Sequence, residues 1–454
     1  MTTANMDKSH VKSTPPVGGW TTLIDALCDG SWRHPVTGAS VPPAPFDKIV
    51  MAENLDGREL ELVTNLGMKA PYVVVADERT WDAMGARVAK ALQVSGRVTE
   101  IILKNPHASL AAVDDLKLKL AGATSVVAVG SGAVNDLCKH ATFQMGLPYC
   151  VFGTAGSMNG YTSGTASMAL VSGLKVSLPS QVPLGFFVDL TVNAQAPAYL
   201  AASGFGDCLC RSVAQIDWWL SHRLFGTPYF EEPYLLEMPD EQELNARAHL
   251  LPEGDISAVG YLHRVLTLCG LGMGFTKTSH HGSMGEHQIS HYIDCFAGDK
   301  HPGTLHGQQV GVASLTMARI QHQFLSDENP PVLKPTVIDP DGMATRMGAD
   351  IAAQCLAEYK KKALDQKGAD EINGKLAEIW PELRKECQRM AIPADELERL
   401  LAASGGPVTA DELGVPVAFY REAVCHAHEM RNRYSFADIA ANAGILHDIA
   451  LQQN

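Results

Sequence analysis

The sequence predicts an α/β nucleotide-binding region with a parallel sheet, followed by an all-α region. Three observations predict it. Short, wholly apolar runs alternate with amphipathic stretches between about residues 70 and 190. Strands that are apolar on both faces belong to sheets covered on both sides, as crossover helices cover them. Past "FFVDL" (186–190), glycine and β-branched density falls and long helical stretches take over. Within the first of these regions, "VVAVGSGAVNDLCKHA" sets a glycine turn directly after a strand and before a helix.

The elements follow in order. Residues 1 to about 45 are rich in Thr, Ser and Pro and read as a tail or draped arm. "YVVVA" (72–76) is a buried strand, and "TWDAMGARVAKAL" a helix with Trp81, Met84, Val88 and Leu92 inward. "EIIL" (100–103) is a second strand, and "ASLAAVDDLKLKL" a helix presenting Leu110, Val113, Leu116 and Leu120. "SVVAVG" (125–130) and "LPYCVFGT" (147–154) are the third and fourth strands. Helices then span 208–225, 259–275, 284–297, 308–325, 345–365 and 371–390. The expected organisation is a tail or arm over 1–45, a dinucleotide-binding domain over 46–195, and a helical metal- and substrate-binding domain over 196–454.

Composition narrows the function. A net charge of −14 over 454 residues excludes an extended nucleic-acid surface, which needs clustered Lys and Arg. No apolar run approaches the roughly 20 residues of a membrane span, and the polar N-terminus has no signal-peptide core. Ten cysteines without a CxxC pair fit reduced thiols. The spacing of Cys208 and Cys210 makes a poor chelating pair. The expectation is a cytoplasmic protein acting on a small molecule, with neither a nucleic-acid nor a membrane partner.

Two stretches carry chemistry. Gly130, Ser131 and Gly132 let backbone N–H groups approach a phosphate at a helix N-terminus, although the turn lacks the third glycine of the dinucleotide fingerprint. Asp77 ends an earlier strand, where an acid either bonds ribose hydroxyls or caps the helix that follows. Asp207 closes "SGFGD", His287 and His291 share a helical face in "GEHQISHYID", and His306 opens "LHGQQVGV". One carboxylate with two imidazoles can hold a divalent metal and leave positions open for a substrate, but with 17 histidines in the chain an i,i+4 pair arises by chance, and spacing alone favours an ordinary polar surface.

Six segments in order resemble the iron-containing alcohol dehydrogenase and dehydroquinate synthase-like superfamily, on its sn-glycerol-1-phosphate dehydrogenase branch. "VGSGAVNDLCKHAT" resembles that family's phosphate turn and "GTAGSMNGYTSGTASM" its SMDG segment. "APAYLAASGFGD", "GEHQISHYID", "LHGQQVGV" and "RNRYSFADIAANAGIL" resemble its metal-ligand and terminal segments. The resemblance implies a dehydroquinate synthase-like fold, with Asp207, His287 and His306 as metal ligands. Zinc is the implied metal, with iron, nickel or manganese as the relatives' alternatives. It also implies that Gly130, Ser131, Gly132, Asn135 and Asp136 hold the pyrophosphate region of NAD or NADP. Thr154 and Ser157 would approach the nicotinamide, and Asp77 the ribose. The implied reaction interconverts dihydroxyacetone phosphate and sn-glycerol 1-phosphate, in a homo-oligomer. His291, one turn past a ligand, is placed to relay a proton or orient the substrate.

The sequence departs from the pattern at Asn159, which stands for the acid of SMDG, and at His280 and His281, which stand near an Arg-Pro pair. Asn159 is therefore expected to bear on substrate or chemistry. The histidines weaken the case for a phosphorylated substrate over a related polyol. A lyase or cyclase of dehydroquinate synthase type, using NAD transiently on a phosphorylated sugar, is the alternative. It needs a dense basic set, and the chain offers Lys139, Lys277 and Arg211 but no such set, which ranks this reading second.

Overall fold

In the computed structural model, which describes residues 15–171 and 174–454, six parallel strands form one sheet. They are β1 (Lys48–Ala52), β2 (Tyr72–Asp77), β3 (Val98–Leu103), β4 (Ser125–Gly130), β5 (Tyr149–Gly153) and β8 (Gly185–Asp189). Strands β6 (Thr165–Ala169) and β7 (Lys175–Pro179) make a separate antiparallel hairpin.

Alternation explains the burial. Along β2, Val73 and Val75 enter one core cluster while Tyr72, Val74 and Ala76 enter the other. In β4, Val126 and Ala128 separate from Val127 and Val129 in the same way. Each fully buried valine contributes roughly 1.5–3 kcal/mol, so both faces must be covered. Helices α1 (Ala86–Gln93), α2 (Leu110–Lys119) and α3 (Gly132–Met145) supply the crossovers.

The sheet order is β1-β8-β5-β4-β2-β3. From β2 the chain moves outward to β3, and from β4 it moves the opposite way to β5. The topological switch therefore lies between β2 and β4, where open α/β sheets bind ligands beyond the strands' carboxyl ends. Asp77 ends β2 and Gly130 ends β4, so both stand at that crevice.

Beyond β8 the chain is helical. The principal helices are α4 (Ala198–Phe225), α5 (Glu232–Ala246), α6 (Ile256–Thr276), α7 (Gly285–Phe296) and α8 (His306–Leu325). Further helices include Gln366–Met390, Val417–His426 and Phe436–Ala443.

Several expectations need correction. A first strand, β1, precedes the first one expected, and its brevity hid it: five residues flanked by prolines and a charged loop. The hairpin β6–β7 was also missed, because its Ser- and Gly-containing run carries no long apolar signal. The stretch expected as one helix over 345–365 is two, Pro340–Met347 and Ala349–Tyr359, broken at Gly348, whose φ is +79°. Helix α6 is long and apolar enough to cross a membrane by length and composition, against the expectation that no such run exists; 89% of that window is buried inside the protein.

The N-terminal 1–14 lie outside the described residues. From Trp20 the segment packs on the helical half: Trp20 meets Tyr261 edge-on at 5.5 Å, and the Arg264 guanidinium donates to the Trp20 carbonyl.

Candidate metal centre and nucleotide turn

Asp207, His287 and His306 come from three helices and meet in one place. Their ligand atoms lie within 4.8 Å of one another, although the residues are separated by up to 99 positions in sequence. Glycines make the approach. A Cβ on Gly206 would stand 2.2 Å from the Gly307 carbonyl oxygen, and one on Gly307 would stand 1.9 Å from that of Ser203. Helices α4 and α8 therefore cross backbone to backbone, and the residue beside each glycine, Asp207 and His306, is delivered to the crossing.

Each ligand atom is oriented. Asp207 Oδ2 accepts the Asn159 backbone N–H at 3.0 Å, leaving Oδ1 buried, without a hydrogen-bond partner and 3.6 Å from His287 Nε2. Glu286 Oε1 sits 2.9 Å from His287 Nδ1, so that nitrogen donates and Nε2 faces Asp207. The Ser290 hydroxyl donates to Gln309 Oε1 at 2.9 Å and so accepts from His306 Nδ1, also at 2.9 Å, which leaves His306 Nε2 with its lone pair.

Electrostatics agree with this arrangement. Burial pulls His287 down, but the Asp207 and Glu286 carboxylates outweigh it and raise the pKa. Burial, His287 and Lys175 bring His306 down to about 4. Burial raises Asp207, yet the neighbouring His287 and His306 imidazoles and the Asn159 N–H leave it below the ordinary range. A buried orphan carboxylate oxygen facing two oriented imidazole nitrogens fits a divalent metal of zinc or iron type.

His291 stands beside this set rather than in it. Its ring lies 5.9 Å from that of His287 and 5.4 Å from that of His306, and its Nδ1 is buried without a partner. Burial and then Arg431 hold it well below its ordinary pKa, so it is neutral at pH 7.

The nucleotide turn is simpler. Ser131, the N-cap of α3, makes no capping bond with its side chain, so the first N–H groups of the helix remain free for an anion. A Cβ on Gly132 would meet nothing within 4 Å, so the space before the turn is open. Asn135 is fully buried with Oδ1 unpartnered. These features fit a dinucleotide pyrophosphate. Asp136 points elsewhere: its carboxylate accepts from Asn135 Nδ2 and from the Ser167 N–H, both at 3.3 Å, bracing the hairpin. Asp77 Oδ1 caps the helix after β2, accepting from Arg79 and Thr80 N–H at 2.9 and 2.8 Å.

Thr154 and Ser157 lie on a buried segment joining the two places. Thr154 N–H donates to the Gly130 carbonyl at 3.3 Å, and the Ser157 carbonyl accepts from Ser203 Oγ at 3.2 Å. Asn159 closes the segment through its bond to Asp207, while its amide Nδ2 lies 3.6 Å from Cys269 Sγ. His281 is fully buried against the Cys269 carbonyl, and His280 packs its ring on Trp218 at 5.7 Å.

Sequence reasoning missed four supports. Lys139 is fully buried and donates to the carbonyls of Gly160, Ser163 and Thr165 at 2.5, 2.9 and 3.2 Å, fixing the loop that carries Asn159. The Tyr161 hydroxyl lies 3.1 Å from the Gly130 carbonyl. Glu286 and Ser290 set the ligand tautomers. Glu286, Ser290 and Lys139 sit inside the quoted motifs, so their places carried the signal; their roles needed the partners.

Comparison with known proteins agrees with the geometry. Residues 50–197 match the family model for iron-containing alcohol dehydrogenase. A glycerol-1-phosphate dehydrogenase [NAD(P)+] from Bacillus velezensis is 30% identical over 409 residues, covering 88% of this chain and 92% of the relative. One from Thermococcus kodakarensis is 28% identical over 273 residues, covering 60% and 76%. Among solved structures, glycerol dehydrogenase from Schizosaccharomyces pombe shares the fold at TM-score 0.59 and 17% identity, over 90% of each chain. With identity of 30% to a relative across nearly the whole of both chains, this protein belongs to the iron-containing alcohol dehydrogenase family, among the glycerol-1-phosphate dehydrogenases.

Proposed function

We propose that the protein is a metal-dependent, NAD(P)-linked oxidoreductase that interconverts dihydroxyacetone phosphate and sn-glycerol 1-phosphate. The observation that carries the reading is the convergence of Asp207, His287 and His306 beside the segment 154–159, whose other end bonds the nucleotide turn. Zinc is the proposed metal, held by those three residues. NAD or NADP would lie over Gly130–Gly132 and Asn135, with Asp77 at the ribose and Thr154 and Ser157 at the nicotinamide. When bound, the ion polarises the ketone oxygen and the nicotinamide carries the hydride.

The chain's own residues do the rest. Glu286, Ser290 and Asn159 fix the ligand atoms, so no reorganisation is needed on binding. In the alcohol-oxidising direction His291, neutral and with Nδ1 unpartnered among the described residues, is placed to accept the proton of the substrate hydroxyl. Lys175 is paired with Asp294 at 2.8 Å, whereas half-buried Arg431 makes no hydrogen bond or ion pair with any described residue. Arg431 is therefore the guanidinium free to receive a substrate phosphate near the imidazoles.

The lyase reading is not favoured. Lys139 is consumed by backbone carbonyls, and Arg211 is paired with Glu241. The proposal includes a domain boundary near residue 195, a cytoplasmic location and a homo-oligomer.

The test is oxidation of NADH and NADPH by zinc-loaded protein with dihydroxyacetone phosphate, against dihydroxyacetone and other ketoses. Turnover with the phosphate ester, lost in Asp207→Asn, is expected. Equal or better turnover on unphosphorylated ketoses would overturn the substrate assignment.

A further inference from the structure

We propose that Glu237, Cys269 and His281 form a second buried site for a divalent metal of zinc type, joined to the first centre through Asn159. The three residues come from α5, α6 and the turn before α7, and their ligand atoms lie within 4.8 Å of one another. All three are buried: Glu237 is 1% exposed, Cys269 7% and His281 0%.

Two of the polar atoms there are orphans. Glu237 Oε1 and His281 Nδ1 have no hydrogen-bond partner among the described residues. Leaving such buried groups unmatched is destabilising, because each has given up its hydrogen bonds to water. The tautomer of His281 is settled by its neighbour: Nε2 lies 2.9 Å from the Cys269 carbonyl oxygen, which only accepts, so Nε2 carries the proton and Nδ1 a lone pair. A carbonyl holding one ring nitrogen so that the other is free is the arrangement of a metal-bound histidine. Arg211, whose charge acts on Glu237, is paired with Glu241, and Glu237 has no ion pair among the described residues.

The donor set chooses the ion. A sulfur, an imidazole nitrogen and a carboxylate oxygen suit zinc and its transition-metal neighbours, while calcium and magnesium prefer oxygen alone. One thiolate and one carboxylate also neutralise a dication, which makes a buried site electrically balanced. With no ion, burial raises Glu237 and Cys269 and draws His281 down to about 4, each toward its uncharged form.

The two places where the sequence leaves its family's pattern meet here. Asn159, standing for an acid, directs its side-chain amide to Cys269 Sγ, and His281, standing near an Arg-Pro pair, bonds the Cys269 carbonyl. The backbone N–H of the same Asn159 holds Asp207. An ion at the second site would tie down one end of the residue that positions a ligand of the first.

Cobalt substitution tests this in the full chain. The first centre has no sulfur ligand, so a thiolate-to-cobalt charge-transfer band reports the second alone. Cobalt-loaded wild type should hold two equivalents of metal and show the band. Cys269→Ser should keep one equivalent and lose the band; Asp207→Asn should lose one equivalent and keep it. Cys210, near His287, is the control, and Cys210→Ser should leave the band intact. One equivalent with no band in the wild type, or a band that survives Cys269→Ser and disappears in Cys210→Ser, overturns the proposal. If Cys269→Ser fails to fold, Asp207→Asn decides: bound cobalt with the band supports the second site, and its absence refutes it.

Discussion

The nucleotide turn and the candidate metal centre are joined by the segment 154–159, yet they are built differently. The turn is a continuous run, Gly130 to Asn135, and what it offers is backbone: free N–H groups and open space above Gly132. The centre is three side chains from three helices, each aimed by a different neighbour. A backbone site tolerates changes of side chain provided the turn survives. A side-chain site fails when any orienting partner fails. Mutation separates the two kinds of failure.

The largest effect belongs to Asp207→Asn. It removes the one carboxylate of the proposed metal site and should lower kcat by about a thousandfold or more, as loss of several kcal/mol of Lewis-acid stabilisation implies; metal content and kcat measured together check it. Next comes Gly307→Ala. Its Cβ would stand 1.9 Å from the Ser203 carbonyl oxygen, so α4 and α8 must part. A loss of about 1–3 kcal/mol of stability is expected, read by denaturant unfolding, along with weakened metal binding. A variant with wild-type stability and metal affinity would show that the crossing does not set the ligand geometry.

Glu286→Gln tests orientation alone. Replacing the carboxylate that fixes the His287 tautomer should weaken metal binding about 10–100-fold, measured by competition with a chelator. Acid should destabilise the fold through two buried histidines outside the candidate ligand set. Burial draws His263 and His428 down to about 3. The unfolded chain takes up their protons from about pH 6.5, whereas the folded one resists until near pH 3. Stability attributable to them is therefore complete above pH 6.5 and falls by roughly 1.4 kcal/mol per pH unit for each as the pH drops through that window. Unfolding midpoints between pH 7 and 4 measure it.

The smallest effect tests the turn's side of the comparison. Asp77→Asn keeps an equally good helix cap, so stability should change by less than about 0.5 kcal/mol. The ratio of kcat/KM for NADPH to that for NADH should rise several-fold, because the charge repelling a 2′-phosphate has gone. An unchanged ratio would leave Asp77 as a cap and nothing more.

How much was legible follows from the same distinction. Strands β2, β4 and β5 announce themselves as apolar runs, and the glycine turn follows directly on β4, so local pattern sufficed. Strand β1 escaped because five residues paired to β8, more than 130 positions away, leave no local trace. His287 and His291 share a helical face, and spacing could not tell ligand from neighbour; the rings of both stand near His306. Asp136 shows the reverse error, since a residue inside the turn's own motif braces the hairpin instead.

The sequence by itself determined the class of fold, the position of the turn and the residues from which a metal site would be drawn. These depend on periodicity and on neighbours a few positions away, which the chain carries along its length. Only the tertiary structure decided which atoms face the centre, that Lys139 is spent on carbonyls, and that Asn159 and His281 converge on Cys269. The direction in which a buried donor points is set by partners up to a hundred or more residues distant, and no local pattern records them.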